Sequence, residues 1–212
     1  MNTNTPYEQL VYFADPMCSW CYGFGPLMST FARSHPELKL TLVMGGLRPY
    51  TKEPMQSAQK NQIREHWQHV AKASGQPFND ALLMRTGFIY DTEPASRAVV
   101  TARWMQHADL LTFLEALSAA FYRDARDITK ANILADIAAE NGLDRLAFLS
   151  ALESAEMRDA VKKDFSFSQS LGLQGFPTLC AGRGEQLHMI SNGYASVAIL
   201  EERFTQLPAA AA

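Results

Sequence analysis

The sequence predicts an α/β fold in which two strand-containing segments build one sheet and a long helical block is inserted between them. Three observations lead to this prediction. Residues 1–53 contain the pattern of a strand, a helix and a strand, residues 54–172 show helical periodicity in several blocks, and residues 173–212 return to short β segments. We therefore expect one domain from residues 1–53 and 173–212, and an inserted all-helical domain from residues 54–172.

The N-terminal segment has the pattern of a strand–helix–strand unit. Residues 10–13 (LVYF) are apolar and rich in strand-forming residues, and Asp15-Pro16 ends the run. Apolar residues then recur at helical spacing until His35-Pro36, and residues 38–44 (LKLTLVM) alternate like a second strand. A unit of this order favours a parallel strand pair joined by a right-handed crossover.

The central block carries helical patterns separated by caps and breakers. Thr92 is a candidate N-cap with Pro94 in the first helical turn, Asp109 is another candidate N-cap, and Asn141-Gly142 is a stop signal. We predict six helices here, at about residues 56–73, 92–107, 109–122, 129–140, 144–152 and 155–171.

The C-terminal segment adds a β-hairpin and a last helix. Residues 177–181 (PTLCA) and 186–190 have strand composition, and a Gly182-Arg183-Gly184 turn separates them. An amphipathic helix follows at about residues 194–206, and the tail from Pro208 has no reason to be ordered.

Composition and charge favour a globular protein that acts on small molecules or on other proteins. Apolar residues make up 47% of the 212, the formal net charge is -3, and no run of Lys or Arg indicates nucleic acid or an anionic membrane surface as a partner. No apolar run approaches the length of a membrane span, and the first residues lack a basic leader followed by an apolar stretch. We therefore expect a cytoplasmic protein. Its oligomeric state stays open.

The chemistry-bearing motif is Cys18-Ser19-Trp20-Cys21, directly after the first strand and at the start of the first helix. Unpaired N–H groups and the positive end of the helix dipole stabilise a thiolate there, and the two-residue gap lets the second cysteine reach the first. Cys18 would attack a substrate disulfide or accept a thiol's attack, and Cys21 would resolve the mixed disulfide. The same spacing also fits half of a zinc site, for which His66 and His69 are the candidate partners.

A second motif, Gly175-Phe176-Pro177-Thr178, stands immediately before a predicted strand. A proline at a strand start is compatible with a simple edge entry. A cis peptide bond at Phe176–Pro177 is the alternative, since it would place a rigid backbone edge beside the cysteines for a substrate chain to pair with. The residues alone leave both open.

The stretch FADPMCSWCYGFGP, followed far downstream by GFPTL and the hairpin, resembles the DsbA-like branch of the thioredoxin superfamily, and within it the cytoplasmic FrnE-like oxidoreductases. The resemblance covers almost the whole chain, including the segment from Tyr90 to Pro94. It implies a thioredoxin-like fold with a helical insertion and a thiol-disulfide oxidoreductase that uses no metal and no bound organic cofactor, with glutathione as a candidate redox partner. It further implies that Pro177 is the family's cis-proline, Cys18 the exposed nucleophile and Cys21 the buried resolving thiol.

The sequence departs from the DsbA pattern between the two cysteines. The resemblance would place Pro-His there, and Ser19-Trp20 stands instead. Without the imidazole, a donor that favours the thiolate is missing, so we expect a mild reductase or isomerase rather than a potent oxidant. We expect Trp20 to shield the disulfide or to pack against substrate.

Further candidates surround these motifs. Arg48 follows Gly45-Gly46 and could bind a carboxylate, although a surface ion pair is the alternative. Trp67 could line the cleft from the helical block, or belong to its core. The candidate substrate-binding residues are Trp20, Arg48, Trp67, Phe176 and Thr178.

Two other residues have both structural and chemical interpretations. Cys180 lies in a predicted strand, where a free cysteine usually behaves as a small buried apolar residue. Asp15 could tune the thiols or pass protons, yet Asp-Pro is also an ordinary turn.

Two other functions remain possible from the sequence. One is a glutathione-dependent isomerase or transferase resembling the kappa-class enzymes and 2-hydroxychromene-2-carboxylate isomerases, which typically place a serine where Cys18 stands. The other is a non-catalytic binding or chaperone module that uses an apolar cleft. The first predicts catalysis by glutathione's own thiol, and the second predicts that Cys18→Ser leaves activity intact.

Overall fold

The structure is a computed structural model that describes residues 6–208. Four strands form one mixed sheet in the order β2-β1-β3-β4. The strands are β1 (Gln9–Ala14), β2 (Lys39–Met44), β3 (Thr178–Arg183) and β4 (Gln186–Asn192). β1 pairs in parallel with β2 and antiparallel with β3, which pairs antiparallel with β4. The first and last segments of the chain therefore share one sheet, and the predicted α/β fold class is confirmed.

The helices occupy the predicted places. They are α1 (Ser19–Ser34), α2 (Ser57–Ser74), α3 (Ala81–Met84), α4 (Glu93–Trp104), α5 (Leu110–Tyr122), α6 (Ala131–Glu140), α7 (Arg145–Leu152), α8 (Ala155–Ser170) and α9 (Val197–Thr205). The helix α3 was not predicted, because a single turn of four residues is too short to show periodicity. The expected unordered tail beyond Pro208 lies outside the described residues.

The N-terminus of α4 differs in detail from the prediction. Thr92 occupies the N-cap position, but its hydroxyl makes no capping bond within the helix. It accepts instead the backbone N–H of Arg48 at 3.1 Å, while Asp91 Oδ1 accepts the N–H of Glu93 at 3.0 Å. The Thr92 side chain thus holds the loop that follows β2.

The sheet has an apolar layer on each face, as the alternation of β1 requires. Leu10 and Tyr12 belong to a large buried cluster that extends through the helical block to residues such as Phe121. Val11 and Phe13 point into a smaller cluster with Cys180. Because the large cluster contains residues from both the sheet and the helices, the division into two domains stays a prediction.

A partly buried ion pair attaches the helical block to the edge strand β2. Asp164 of α8 accepts the backbone N–H of Met44 at 2.9 Å and both donors of the Arg103 guanidinium, at 3.0 and 2.8 Å. Arg103 of α4 also donates to the carbonyl oxygen of Leu42 at 2.7 Å. These bonds fix the end of β2, where the loop that approaches the cysteine motif begins.

Across residues 6–208, none of the helices combines the length and the apolar character that crossing a membrane requires.

Candidate active site

The Cys18-Ser19-Trp20-Cys21 motif lies at the start of α1. Cys18 is the N-cap residue, with φ -94° and ψ 117°, and its backbone N–H donates to the carbonyl oxygen of Asp15 at 3.0 Å. The free N–H groups of the first helical turn begin directly after Cys18. The N–H groups at a helix start interact favourably with anionic groups.

The loop before β3 meets this motif. The Phe176–Pro177 peptide bond is cis, the form that the resemblance implies. The Cys18 thiol donates a hydrogen bond to the carbonyl oxygen of Phe176, with a sulfur–oxygen distance of 3.3 Å. The fold therefore brings the backbone beside Pro177 into contact with a cysteine that is 158 residues away in the chain.

The two thiols of the motif are neighbours. Burial raises the pKa of the Cys21 thiol well above its usual value of 9.0, and a hydrogen bond with the Cys18 side chain raises it further. Exposure does not distinguish the two cysteines as expected, because Cys18 is only 5% exposed and Cys21 is 4% exposed. Cys18 is shielded because its sulfur lies against the Phe176 carbonyl, so its position at the helix start is what sets it apart.

Asp15 connects the cysteine loop to the loop that follows β2. Its side chain is fully buried, with Oδ1 accepting the N–H of Met17 at 2.9 Å and Oδ2 accepting the N–H of Leu47 at 2.8 Å. Burial raises the pKa of this carboxyl to about 6, although the hydrogen bonds oppose the shift. Asp15 is therefore more than an ordinary turn residue, since it joins two loops of the site.

Two tyrosines support the cysteine loop from the helical block. The Tyr90 hydroxyl donates to the carbonyl oxygen of Met17 at 2.7 Å and lies 3.1 Å from the Tyr122 hydroxyl. Burial raises the pKa of both tyrosines, so both remain protonated donors. Sequence reasoning did not assign them to the site. Its one signal was that Tyr90 opens the segment included in the family resemblance.

Arg48 lies on the rim formed by the loop after β2. Its side chain is exposed, and its guanidinium carbon lies 5.5 Å from the centre of the Tyr90 ring. Within residues 6–208 it forms no ion pair, contrary to the surface ion pair considered from the sequence. Instead, the cation stacks on an aromatic ring whose hydroxyl bonds to the residue before Cys18.

Aromatic rings flank the motif at Trp20. The half-buried Trp20 ring lies 5.9 Å from the His66 ring and 5.5 Å from the Tyr194 ring. Burial, together with the neighbouring His69, lowers the pKa of His66. Trp20 thus belongs to a small aromatic surface, and its role against the disulfide or the substrate stays a prediction.

Two predicted substrate-binding residues are placed inside the protein. Trp67 is only 3% exposed and packs against Phe78 and Tyr122 at ring distances of 5.6 and 5.0 Å. Thr178 is fully buried, and its hydroxyl donates to the carbonyl oxygen of Gly175 at 3.1 Å. We correct both expectations, because neither side chain has surface to offer a substrate.

Cys180 belongs to a different apolar cluster from Cys18 and Cys21, although Phe176 packs against both clusters. It is buried in the smaller cluster and pairs in register with Val11 of β1. Burial raises the pKa of its thiol to about 11. This environment favours an inert, apolar role for Cys180.

A cavity of about 180 Å³ lies between α1 and α5 and reaches Cys21. The fully buried hydroxyl of Tyr12 lines it, and burial together with the neighbouring Cys21 and Cys18 thiols raises the pKa of Tyr12 well above its usual value. No group of three or more His, Cys, Asp or Glu side chains in residues 6–208 is arranged to hold a metal ion.

Comparison with known families identifies the fold. A family model of the DSBA-like thioredoxin domain matches residues 9–204, nearly the whole chain. The chain belongs to this DSBA-like thioredoxin family. The thioredoxin-like architecture with inserted helices is therefore the fold of this DSBA-like chain.

Several relatives resemble this DSBA-like protein. The crystal structure of a "putative protein disulfide isomerase" from Nitrosomonas europaea has a TM-score of 0.88 at 31% identity, covering 94% of this chain and 97% of that chain. The cytosolic disulfide reductase DsbM from Pseudomonas aeruginosa has a TM-score of 0.74 at 27% identity, covering 86% and 89%, and a further structure of it contains GSH. The ClpXP adapter protein SpxH from Bacillus licheniformis is 23% identical over 81% of this chain. The chain spans only 56% of the length of that curated relative.

Proposed function

We propose that this protein is a thiol-disulfide oxidoreductase that exchanges disulfides through Cys18 and Cys21. The observation that carries the proposal is the position of the Cys18 thiol, which contacts the Cys21 thiol and the Phe176 carbonyl beside Pro177. Stepwise exchange needs a nucleophilic sulfur at a helix start, a second thiol within reach and a place for the substrate backbone. The disulfide isomerase and disulfide reductase among the similar structures support this assignment.

The exchange proceeds in two displacements. The Cys18 thiolate attacks one sulfur of a substrate disulfide, a bond forms between these sulfurs, and the other substrate sulfur leaves as a thiolate. Cys21 then gives its proton to the thiolate released in the first step and attacks the Cys18 sulfur, which releases the second substrate thiolate and leaves a Cys18–Cys21 disulfide. The substrate disulfide is reduced by two electrons while the cysteine pair is oxidised by two.

The surroundings of the motif suit substrates with a peptide backbone. In this proposal, the backbone of Phe176 and Pro177 forms an edge with which the substrate backbone pairs. The Trp20 ring then packs against the bound substrate. The high pKa of Cys21, which burial causes, keeps this thiol protonated, so it does not compete with Cys18 for the first attack on the substrate disulfide. Protein disulfides and small thiols are therefore both suitable partners.

The direction that we propose is reduction or isomerisation in the cytoplasm. Ser19-Trp20 supplies no imidazole between the cysteines, so strong stabilisation of the reduced form is not expected. Two thiols of glutathione would return the Cys18–Cys21 disulfide to the dithiol, with no metal and no bound organic cofactor. DsbM, described as cytosolic and solved with GSH, supports both the compartment and the reductant.

Single cysteine variants test the roles. The Cys21→Ser variant, incubated with glutathione disulfide, should accumulate a mixed disulfide that peptide mass spectrometry locates at Cys18, because the resolving thiol is absent. The Cys18→Ser variant should form no such adduct and should lose glutathione-dependent disulfide reduction. Cys180→Ser is the matched control and should behave as the wild type, since Cys180 is buried in the separate cluster.

Other outcomes would contradict the proposal. If Cys18→Ser keeps full activity, the thiol of bound glutathione or a non-catalytic role accounts for the function. If an adduct forms at Cys21 in the Cys18→Ser variant, or at Cys180 in either variant, the assigned order of the thiols is wrong.

A further inference from the structure

We propose that Arg48 binds a carboxylate of the thiol substrate and thereby selects small peptide-like thiols that carry negative charge, the class to which glutathione belongs. This inference rests on the function proposed above, because it concerns the partner of the same cysteine pair. Its evidence is independent of the cysteines, and comes from the charge, the placement and the rigidity of the loop after β2.

Arg48 is a cation without an ion-pair partner among the described residues. Its guanidinium is exposed and forms no ion pair within residues 6–208. The nearby carboxylates are already occupied, since Glu93 pairs with Arg97 at 2.8 Å and Asp91 accepts the N–H groups of Tyr50 and Glu93. The fork of donors on Arg48 therefore remains available for a carboxylate from outside the protein.

The loop that carries Arg48 is held in one conformation. The Arg48 N–H donates to Thr92 Oγ1 at 3.1 Å, and the N–H of Thr92 donates back to the Arg48 carbonyl oxygen at 3.3 Å. Tyr50 has φ 63°, in the left-handed region that residues other than glycine rarely adopt, and its N–H is bonded to Asp91 at 2.8 Å. Such a conformation persists only where its surroundings hold it, and it is common at ligand-binding sites.

Two chains of contacts connect this loop with Cys18. In the first, Arg48 stacks on Tyr90, and the Tyr90 hydroxyl bonds to the carbonyl oxygen of Met17, the residue before Cys18. In the second, Gly45 lies directly beneath Phe176, because a Cβ placed on Gly45 would be 2.1 Å from the ring, and the Phe176 carbonyl accepts the Cys18 thiol. Arg48 and Cys18 therefore belong to the same rim.

A short peptide thiol with a free carboxylate is the partner that this rim suits. In a tripeptide whose central residue carries the thiol, each end lies only about 4–7 Å along the chain from that residue, so a sulfur bound at Cys18 keeps the terminal carboxylate close to the rim that contains Arg48. A hydrogen bond to a charged group contributes enough to change a rate constant about tenfold or more. Arg48 would thus act on the affinity for the anionic thiol and leave the exchange chemistry to the cysteines.

The test compares two forms of one thiol, with free and with esterified carboxylates. The oxidised protein is reduced with glutathione and, separately, with glutathione diethyl ester, whose carboxylates are blocked, and the two second-order rate constants are measured. The ratio of interest is the rate constant for glutathione divided by that for the ester. In Arg48→Gln, we expect this ratio to fall about tenfold. Arg158→Gln is the matched control, because Arg158 is an exposed arginine of α8 without an ion pair in residues 6–208, and its ratio should equal that of the wild type.

The outcomes separate this inference from the proposed function. Equal losses with both thiols, or an unchanged ratio, would overturn the role of Arg48 while leaving the exchange chemistry intact. If the wild type reacts with neither thiol, the function of the cysteine pair fails and this inference fails with it. Should Arg48→Gln not fold, raising the ionic strength must still lower the wild-type ratio, and a ratio that does not respond to salt would overturn the inference.

Discussion

Asp15 illustrates how the surroundings of one residue change its chemistry. The Asp-Pro turn after β1 buries the carboxyl completely, and two backbone N–H groups only partly compensate for the loss of water. The result is a pKa of about 6 instead of the usual 3.8. The charged form of Asp15 thus lowers the free energy of unfolding, while its hydrogen bonds connect the cysteine loop with the loop after β2.

The raised pKa of Asp15 should make the free energy of unfolding depend on pH. Because the folded protein holds the Asp15 proton more tightly than the unfolded chain, the contribution of this group is fully present below pH 3.8 and is lost as the pH rises through about 6. We expect the free energy of unfolding of the wild type, relative to Asp15→Asn, to fall by ~2 kcal/mol from pH 4 to pH 7, since one pKa unit corresponds to about 1.4 kcal/mol. Urea unfolding at several pH values measures it, and a difference that rises with pH would contradict the assignment.

At the scale of elements, the site depends on how the loop after β2 meets the loop before β3. Phe176 can lie on Gly45 only because glycine has no side chain there. The same contact holds the Phe176 carbonyl where it accepts the Cys18 thiol. Close approach of two backbones, rather than a side-chain interaction, therefore positions the proposed substrate edge.

A methyl group should separate these loops. In Gly45→Ala, the new Cβ would lie 2.1 Å from the Phe176 ring, so the ring and its loop must move. We expect a loss of about 2 kcal/mol in the free energy of unfolding and a reaction of Cys18 with glutathione disulfide that is slower by about tenfold. The control is Gly175→Ala, in the loop that contains Phe176, because nothing lies within 4 Å of a Cβ placed there. It should change the free energy of unfolding by less than about 0.5 kcal/mol. Equal effects of the two variants would disprove the contact.

The attachment of the helical block to β2 gives a second prediction at this scale. Asp164→Ala would leave the Arg103 cation and the Met44 N–H without their partner, and we expect it to lower the free energy of unfolding by about 3 kcal/mol. Asp159→Ala removes an exposed pair with Lys162 from the same helix and should cost under about 1 kcal/mol. Thermal or urea unfolding measures the loss in both variants. Similar losses would show that the Asp164–Arg103 pair stabilises the fold no more than an exposed pair does.

For the whole molecule, the continuous apolar cluster through sheet and helices implies one cooperative unit. We expect coincident urea transitions for the fluorescence of Trp67, which reports the helical block, and the alkylation of Cys180, which reports the sheet. A variant with Trp20→Phe and Trp104→Phe leaves Trp67 as the single tryptophan for this purpose. Two separate transitions would instead support domains that fold independently.

The sequence predicts the whole molecule better than the details of its site. Strand and helix patterns located the elements because periodicity is local, and α3 was missed because it has only one turn. The cysteine motif and the proline loop were found because their residue types carry the chemistry. Trp67 and Thr178 were misplaced because residue type does not reveal whether a side chain points toward solvent. The stacking of Arg48 on Tyr90 joins segments far apart in the chain, which no local pattern indicates.

The most direct test of the central claim is the redox equilibrium of the purified protein across a series of glutathione and glutathione disulfide ratios. Free thiols are trapped by alkylation, and mass spectrometry locates the disulfide at each ratio. We predict one reversible disulfide between Cys18 and Cys21, with Cys180 unpaired throughout. If Cys18 and Cys21 never pair, or if the disulfide joins either of them to Cys180, the proposed exchange through this motif is wrong.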